Sequence, residues 1–464
     1  MLRLNSTPLK IAVIFIAMAS CKLGPDYEAP DLNLPTYWNA IDENTEIDSV
    51  FVPKTWWTYF QDPVLDTLIR EALKNNRNAL IAAQRVERSM LLLNIQKAAL
   101  WPSFSYNGSG GINSLSSDPN LSIGASMAWE LDFWGRLRRL NESQKAQFLS
   151  EVNAQRALQI ELISHVASSY YQMLEFRQRT EIAIDNTNLR DSMQTIIEKR
   201  FKGGIVPEID LNQAQIQFAI SATSVPLYQR LSAQTEQNLS VLVGRMPSSI
   251  ASGNRLSEQK YDIELSIAVP SEMVKNRPDL LQAEQDLVAQ NAEIGAAVAN
   301  LYPRFSLSGS TSYNSLNIEA IDNAFWNLGL NLTGPLWQWR RNLRAIDVEK
   351  KETEIALLSY EQKILSAFAE VEIALISIRT LREEIIARRI HVKAANSAQN
   401  LSYKRYNQGV TSYLEYLESQ RQAFDAQNFL AQTQAELLTA YFNLYKATGG
   451  GWLNEAEQNQ SQKP

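Results

Sequence analysis

Two long stretches without glycine or proline constrain the fold of this 464-residue chain more than any other feature. They cover residues 141–200 and 338–405, which is 60 and 68 residues. Because glycine and proline are the residues that most disfavour a helix interior, each stretch predicts one continuous helix. At 1.5 Å per residue the two helices would be roughly 90 and 100 Å long, far beyond the ~11-residue average. Such rods need neighbours along their whole length.

Shorter helical stretches supply those neighbours. Residues 76–100 and 207–243 together nearly equal the first long helix, and residues 278–301 and 412–447 approach the second. Two short helices placed end to end could therefore line each long one. Apolar residues at an i, i+4, i+7 spacing predict narrow packing seams, as in Leu189, Met193, Ile196 and in Val371, Leu375, Ile378. Helices this polar fit the wall of a water-filled tube.

Two pairs of alternating segments predict β-hairpins. Residues 121–132 alternate apolar with small or polar side chains, and the preceding strand, 104–112, leads into a Ser/Asp/Pro/Asn turn at 116–120. Residues 304–333 repeat the pattern. One interpretation is two hairpins of a soluble sheet. The other is an outer-membrane barrel, since segments of ~10 residues with one apolar face and one Ser/Asn/Gly face are typical of barrel strands.

The chain is predicted to be an internal duplication. Three motifs recur about two hundred residues apart: Leu100-Trp101-Pro102 and Leu301-Tyr302-Pro303 at an offset of 201, Trp134 with Arg138-Arg139 and Trp337 with Arg340-Arg341 at about 203, and Arg200-Phe201-x-x-Gly204 and Arg405-Tyr406-x-x-Gly409 at 205. Each copy is predicted to contain a helix, a hairpin, a long helix, a turn and a returning helix.

The N-terminus predicts a secretory signal peptide followed by a lipidation site. Arg3 and Lys10 precede an apolar run at 11–18, which is too short to span a bilayer because spanning needs ~20 apolar residues. Cys21 is the only cysteine in the chain. An incidental buried cysteine is one explanation. The other is acylation, because Met18-Ala19-Ser20-Cys21 resembles a bacterial lipobox.

Five further motifs in order resemble the TolC-like outer-membrane efflux lipoproteins, the NodT-type outer-membrane factors of resistance-nodulation-division pumps. They are Cys21 with Gly24-Pro25-Asp26-Tyr27-x-x-Pro30; Trp56-Trp57 with Phe60, Asp62-Pro63 and Leu65; Ala72-Leu73 with Asn76; Asn276-Arg277-Pro278-Asp279-Leu280 with Ala283-Glu284; and Arg405-Tyr406-x-x-Gly409 with Tyr413-Leu414 and Ala423. The resemblance implies a mainly α protein with a transmembrane β-barrel, that is, a TolC-like α-barrel plus β-barrel with four strands and long helices per protomer. It implies a trimeric, passive export duct for drugs or other toxic small molecules. The implied partners are a periplasmic adaptor and an inner-membrane pump of the resistance-nodulation-division type.

These observations predict the domain organisation. The segments are a signal peptide at 1–20; a lipidated N-terminal segment and equatorial belt at 21–63; a first repeat at 64–243 with hairpin 103–132, long helix 141–200 and return helix 207–243; an equatorial connection at 244–277; a second repeat at 278–447 with hairpin 304–333, long helix 338–405 and return helix 412–447; and a polar C-terminal tail at 448–464.

The number of strands predicts a homo-oligomer. Four strands in outer-membrane lipid leave two edges of unpaired backbone groups, each costing several kcal/mol. Two copies would give 8 strands, whose interior side chains nearly fill, whereas three copies would give 12 strands and leave a lumen. Transport through the middle favours the trimer.

Charge and motifs argue against other function classes. The chain has 44 Lys+Arg against 50 Asp+Glu and no basic run, so no nucleic-acid partner is indicated. His165 and His391 do not occupy matching repeat positions, and the sequence contains no ligand cluster, phosphate-binding loop or nucleophile motif. We therefore expect no catalytic activity, metal or cofactor. Glu130 and Asp132 are interpreted as polar, lumen-facing residues near the periplasmic rim of the barrel.

The turns at 202–207 and 407–412 are predicted to lie at the far end of the tube. Gly204 and Gly409 supply the backbone freedom that a helix stop needs. The residues that follow include Asp210 after the first turn and Leu414, Glu415, Glu418 and Arg421 after the second. Resemblance to the Tyr-Leu-x-x-Leu-Asp-x-Gln-Arg pattern of related ducts implies that Leu414 and Glu418 narrow a periplasmic aperture and that Arg421 pairs with an acid. The sequence has Glu418 where that pattern has Asp. A solvated acidic helix face is the alternative.

Two other functions remain open from the sequence. A type I secretion or metal-efflux duct would share the fold. A periplasmic helical scaffold or adhesin lipoprotein with small soluble hairpins would be a different class of protein, and extraction from outer membranes by alkali would favour it.

Overall fold

The computed structural model describes residues 22–32, 34–40, 56–113, 116–251, 253–263, 270–315, 324–338 and 340–450. The signal peptide and Cys21 predicted from the sequence lie outside these ranges. In chain order the helices and strands are α1 Pro63–Asn75, α2 Arg77–Ala98, β1 Ser103–Asn113, β2 Ser116–Leu131, α3 Arg136–Lys202, α4 Glu208–Val243, α5 Pro270–Asn276, α6 Pro278–Ala299, β3 Arg304–Ser315, β4 Ala324–Thr333, α7 Arg341–Asn407 and α8 Tyr413–Ala447. Within these ranges no helix is long and apolar enough to cross a membrane.

The two repeats match element by element. Helices α3 and α7 are both 67 residues long, and α2 and α6 are both 22 residues long. In the part of each repeat before the hairpin turn, equivalent residues are 201 apart. Helices α2 and α6 start at 77 and 278, and strands β1 and β3 start at 103 and 304. After the hairpin turn, equivalent residues are 205 apart. Helices α3 and α7 start at 136 and 341, and helices α4 and α8 start at 208 and 413.

This equivalence corrects one match made from the sequence. Gly135 and Arg340, with left-handed φ of 75° and 61°, stand immediately before α3 and α7 and are therefore equivalent. Trp134 then corresponds in sequence to Trp339, and its match to Trp337 at about 203 is wrong by two residues. The error arose because the second repeat carries two tryptophans, Trp337 and Trp339, in this stretch.

Helix α3 starts five residues before the predicted 141 because Asp132 caps it. The two carboxylate oxygens of Asp132 accept hydrogen bonds from the backbone N–H groups of Leu137 and Arg138, both at 2.9 Å. Glu130 accepts two bonds from Arg136, at 2.9 and 2.8 Å. A carboxylate at a helix N-terminus is stabilised by the unpaired N–H groups and by the helix dipole. These acids therefore fix the start of α3.

The chain divides into two compact units, and the first contains the sheet. This unit comprises Met1–Asn33, Ala83–Ala154 and Asp279–Ile364. Its four strands form one antiparallel sheet in the order β1-β2-β3-β4. The strand β2 begins at Ser116, inside the turn predicted at 116–120. Within β2, Pro119 lies opposite Ile112 of β1.

The second unit comprises Leu34–Ala82, Gln155–Pro278 and Leu365–Pro464. Its core is aromatic: the Trp56 ring stacks on Tyr445 with centroids 3.7 Å apart, and the Phe60 ring stacks on Phe442 at 4.5 Å. The predicted seams also contribute buried residues, among them Met193, Val371 and Leu375. The sequence analysis did not predict helix α5, which lies in residues 244–277, the segment expected to be a connection between the repeats.

Candidate channel aperture at the helix tips

The turns that join the long helices to their return helices end in left-handed glycines. Gly204 and Gly409 have φ of 70° and 72°, and each would place a Cβ in open space. Glycine is therefore required at both positions for its backbone conformation and not for close packing. After the second turn, the Ser412 hydroxyl caps α8 by accepting a bond from the Glu415 N–H at 3.3 Å.

A cluster of tyrosines holds the second turn against the first. Tyr406, Tyr413 and Tyr416 are buried together with Met193 and Ile197 of α3. The Arg200 guanidinium lies 4.9 Å from the centre of the Tyr406 ring, a cation–π distance. Burial raises the pKa of Tyr413 to about 12, so this phenol stays neutral at physiological pH. Sequence reasoning missed the cluster, although tyrosines recur at 403 and 406 and again at 413 and 416.

Arg190 ties α3 to α4 below the turn. Its Nη1 donates to the backbone carbonyl oxygen of Gln217 at 2.9 Å and to the side-chain Oε1 of Gln217 at 2.8 Å. Burial lowers the pKa of this guanidinium from its ordinary value. Because guanidinium pKa values lie far above physiological pH, Arg190 stays charged and its bonds to Gln217 are charge-assisted. The first helix pair is thereby fixed near the tip.

The predicted aperture residues of α8 form a polar network beside an exposed leucine. Leu414 is 63% exposed. Arg421 donates to both carboxylate oxygens of Glu418, at 2.7 and 3.0 Å, and to Asp425 at 3.0 Å. Hydrogen bonding to Arg421 lowers the pKa of Glu418 below its ordinary value, so this carboxylate resists protonation. Glu415 accepts a bond from the Thr411 hydroxyl.

The structure places the predicted residues in two groups. Arg421 pairs with Glu418 on its own helix and with Asp425, which sequence reasoning missed although the i, i+4 spacing could have revealed it. Asp210 lies in the first turn of α4, and its charge contributes to raising the pKa of Tyr406 and Tyr413. Among the described residues, no group of three or more His, Cys, Asp or Glu side chains could hold a metal ion.

The fold is that of solved outer-membrane channels. The structure of the outer-membrane channel OprN matches this chain with a TM-score of 0.85 at 27% identity, covering 93% of this chain and 100% of that chain. The mainly α, TolC-like fold expected from the sequence is thereby confirmed. The chain therefore has the fold of an outer-membrane channel.

Sequence comparison gives the family. The outer membrane efflux protein family matches residues 68–245 and 269–450, which span both repeats. The antibiotic efflux pump outer membrane protein ArpC of Pseudomonas putida is 30% identical over 473 aligned residues, covering 98% of this chain and 97% of the relative. The cation efflux system protein CusC of Escherichia coli strain CFT073 is 30% identical over 461 residues, covering 96% and 99%. The chain belongs to the outer membrane efflux protein family.

Proposed function

We propose that three copies of this chain close into a passive duct that exports drugs or other toxic small molecules from the periplasm to the exterior. A periplasmic adaptor and an inner-membrane pump of the resistance-nodulation-division type would supply the coupling and the energy. The duct itself would catalyse no reaction. Cys21 would carry lipid and anchor each copy in the outer membrane.

The sheet of the first unit carries this proposal. Within the described residues β1 pairs only with β2, and β4 pairs only with β3. Four β4 side chains that alternate along the strand are apolar and more than half exposed: Trp326, Leu328, Leu330 and Leu332. An apolar face suits contact with lipid, where unpaired backbone groups at a sheet edge are costly. Pairing of β4 with β1 of another copy removes both edges.

Native mass measurement in detergent, followed by single-channel recording of the same sample, tests the closed assembly. A trimer that conducts is expected. A monomer that conducts would refute the proposal.

For the anchor, Cys21→Ser should abolish palmitate labelling of the mature chain. Labelling that survives this substitution would rule out Cys21 as the acylated residue.

We further propose that Leu414 and Glu418 narrow the periplasmic aperture in the closed assembly. A ring of leucines would hinder ions by excluding water, and a ring of carboxylates would favour cations. Leu414→Ala combined with Glu418→Ala should raise single-channel conductance, and Glu418→Ala alone should weaken cation preference. Asp191→Ala, which removes an exposed acid from α3, serves as the control and should change neither quantity.

The pH dependence offers a second test of the aperture. Because Arg421 lowers the pKa of Glu418, the carboxylate should stay charged as the pH falls through the ordinary range for glutamate. Cation preference, measured from reversal potentials, should therefore persist into that range and decline only at more acidic pH. If the assembled Leu414→Ala, Glu418→Ala double variant keeps the original conductance and selectivity, these residues do not form the aperture. That result would not contradict the proposed export duct.

Metal-cation efflux is the second candidate, since CusC and ArpC are both 30% identical to this chain. Growth of a host without its own channel, complemented with this chain and its cognate pump and adaptor, distinguishes the two substrate classes. Restored growth on graded antibiotics supports the proposed function. Restored growth only on metal salts supports the second candidate. The open reading frames beside the gene would identify the cognate pump and adaptor.

A further inference from the structure

The N-terminal strap, residues 22–27, lies across the junction of the two repeats in the first unit. Arg139 of α3 holds it with two backbone contacts: Nε donates to the Leu23 carbonyl at 2.8 Å, and Nη2 donates to the Gly24 carbonyl at 2.9 Å. The Arg139 side chain is only 1% exposed. A guanidinium has five donors in a rigid fork, so it can bind a peptide backbone and still pair with acids.

The strap fits because α6 carries a glycine at this place. A Cβ on Gly295 would lie 2.5 Å from Nε of Arg139 and 2.7 Å from the carbonyl oxygen of Leu23. Any larger residue would displace the strap or the arginine. Arg139 also pairs with Glu142, three residues along α3, at 3.0 Å. The junction between repeats therefore consists of an Arg–Glu pair, a glycine and a strap.

The duplication contains a second version of this junction, in which the ion pair is kept but its exposure and the glycine are not. The residues equivalent to Arg139 and Glu142 are Arg344 and Asp347 of α7, which form the same i, i+3 ion pair at 2.9 Å. The Arg344 side chain, however, is 70% exposed. The residue equivalent to Gly295 is Asn94, which is exposed on α2.

The sheet shows how the two halves of this second junction could meet. Within the chain β2 pairs with β3, and Ser126 lies opposite Ser310. Applying the offsets of 205 and 201 to this pair places Asn331 of β4 opposite Ser109 of β1. Those strands are the two edges of the sheet, so this register can form only between copies. Closure in this register would bring α7 of one copy beside α2 of the next.

We infer that the surface around Arg344 binds α2 of a second copy, with Asn94 of that copy in the place that Gly295 and the strap occupy beside Arg139. The Asn94 amide oxygen supplies an acceptor for the Arg344 guanidinium, and its side chain fills volume that a strap would need. Each strap therefore joins the two repeats of its own chain, whereas Asn94 joins neighbouring copies. This inference rests on the proposed closed assembly and specifies its contacts.

Engineered cysteines test the register. A disulfide needs Cβ atoms roughly 3.5–4.5 Å apart, which opposite residues approach and residues displaced by two do not. In the full-length protein, Asn331→Cys with Ser109→Cys should give intermolecular cross-links on mild oxidation. The matched control, Asn331→Cys with Asn107→Cys, should cross-link in several-fold lower yield. Equal or higher yield in the control would overturn the register with the assembly intact. A monomeric mass without cross-links in either variant would overturn the closed assembly itself.

A double-mutant cycle tests the Arg344–Asn94 contact. Arg344→Ala and Asn94→Ala should each lower the temperature at which the native trimer dissociates. If the two side chains touch, the double variant should dissociate at about the temperature of the worse single variant, because the second substitution removes nothing further. Additive shifts would overturn the contact. Lys351→Ala, which breaks an exposed ion pair with Glu354 on the same helix, should combine additively with Asn94→Ala and provides the control.

Discussion

The two repeats interrupt the helical segment before each hairpin at equivalent positions but stabilise the breaks with different side chains. Asn76 stands between α1 and α2, and its Nδ2 donates to the Leu242 carbonyl near the end of α4 at 2.8 Å. Arg277 stands between α5 and α6, and its Nη1 donates to the carbonyl of Ala447, the last residue of α8, at 3.0 Å. In both repeats the break residue binds a carbonyl group at the C-terminus of the return helix.

The difference follows from what else each side chain must do. The Asn76 Oδ1 also accepts a bond from the Ala79 N–H at 3.1 Å and so caps α2. The arginine side chain has no acceptor and cannot cap the N-terminus of a helix, but α6 begins with Pro278, which lacks one of the N–H groups that need a cap. Arg277 uses its other donors on Glu370, at 2.7 Å. The same backbone junction therefore accepts an amide or a guanidinium, provided that the carbonyl of the return helix is bound.

A left-handed glycine after each return helix completes the junction. Gly244 and Gly449 have φ of 83° and 94°. A Cβ on Gly244 would overlap the carbonyl group of Asn75, and a Cβ on Gly449 would lie 3.0 Å from the carbonyl oxygen of Asn276. The first break is thus packed more tightly than the second.

The largest effect is expected for Gly244→Ala. The left-handed conformation and the overlap with the α1 backbone should together lower the free energy of unfolding by about 4 kcal/mol. Urea denaturation followed by circular dichroism measures this change. Gly203→Ala is the control, since an added Cβ there meets atoms only at 3.6 Å and the backbone is not left-handed. Similar losses in the two variants would show that backbone strain does not determine the stability of the first break.

Arg277→Ala should follow, with a loss of about 3 kcal/mol, because it removes charge-assisted bonds and leaves the Ala447 carbonyl buried without this donor. Arg277→Lys should recover less than half of the loss, since an ammonium cannot reproduce the fork. The exposed Arg70→Ala should cost little and serves as the control. If Arg277→Lys recovered the full free energy of unfolding in the same assay, Arg277 would stabilise the break through its charge alone.

Asn76→Ala should have the smallest effect, about 1 kcal/mol, which is the usual cost of losing a helix cap. Asn76→Ser should retain most of that stability if the cap matters more than the bond to Leu242. The comparison between repeats predicts a smaller loss for Asn76→Ala than for Arg277→Ala. If parallel denaturation curves showed a larger loss for Asn76→Ala than for Arg277→Ala, the guanidinium would not be the more stabilising of the two side chains.

Much of this architecture follows from local sequence signals. The absence of glycine and proline predicts the long helices, and alternation predicts the strands, because both patterns act between near neighbours in the chain. The start of a helix depends on its cap, which these patterns do not show: Asp132 extends α3 back to Arg136.

The candidate aperture shows the same division. The pairing of Arg421 with Glu418 lies within one helix turn and could be anticipated from spacing. The packing of Tyr406 and Tyr416 on Met193 joins residues that are distant in the chain, and so does the fit of Gly24 against Gly295 in the first unit. Periodicity in one sequence carries no record of such contacts.

The equal lengths of α3 and α7 restrict how proteins of this design can change size. One inserted residue advances a helix by 1.5 Å and turns everything beyond it by about 100°, which would move Met193 and Ile197 out of their packing seam. Seven inserted residues make nearly two full turns and add about 10 Å while keeping the seam in register. We expect natural and engineered length variants to differ in steps of seven residues, inserted at matching heights in α3, α4, α7 and α8. The length of the helical part of this fold would therefore change in steps of about 10 Å.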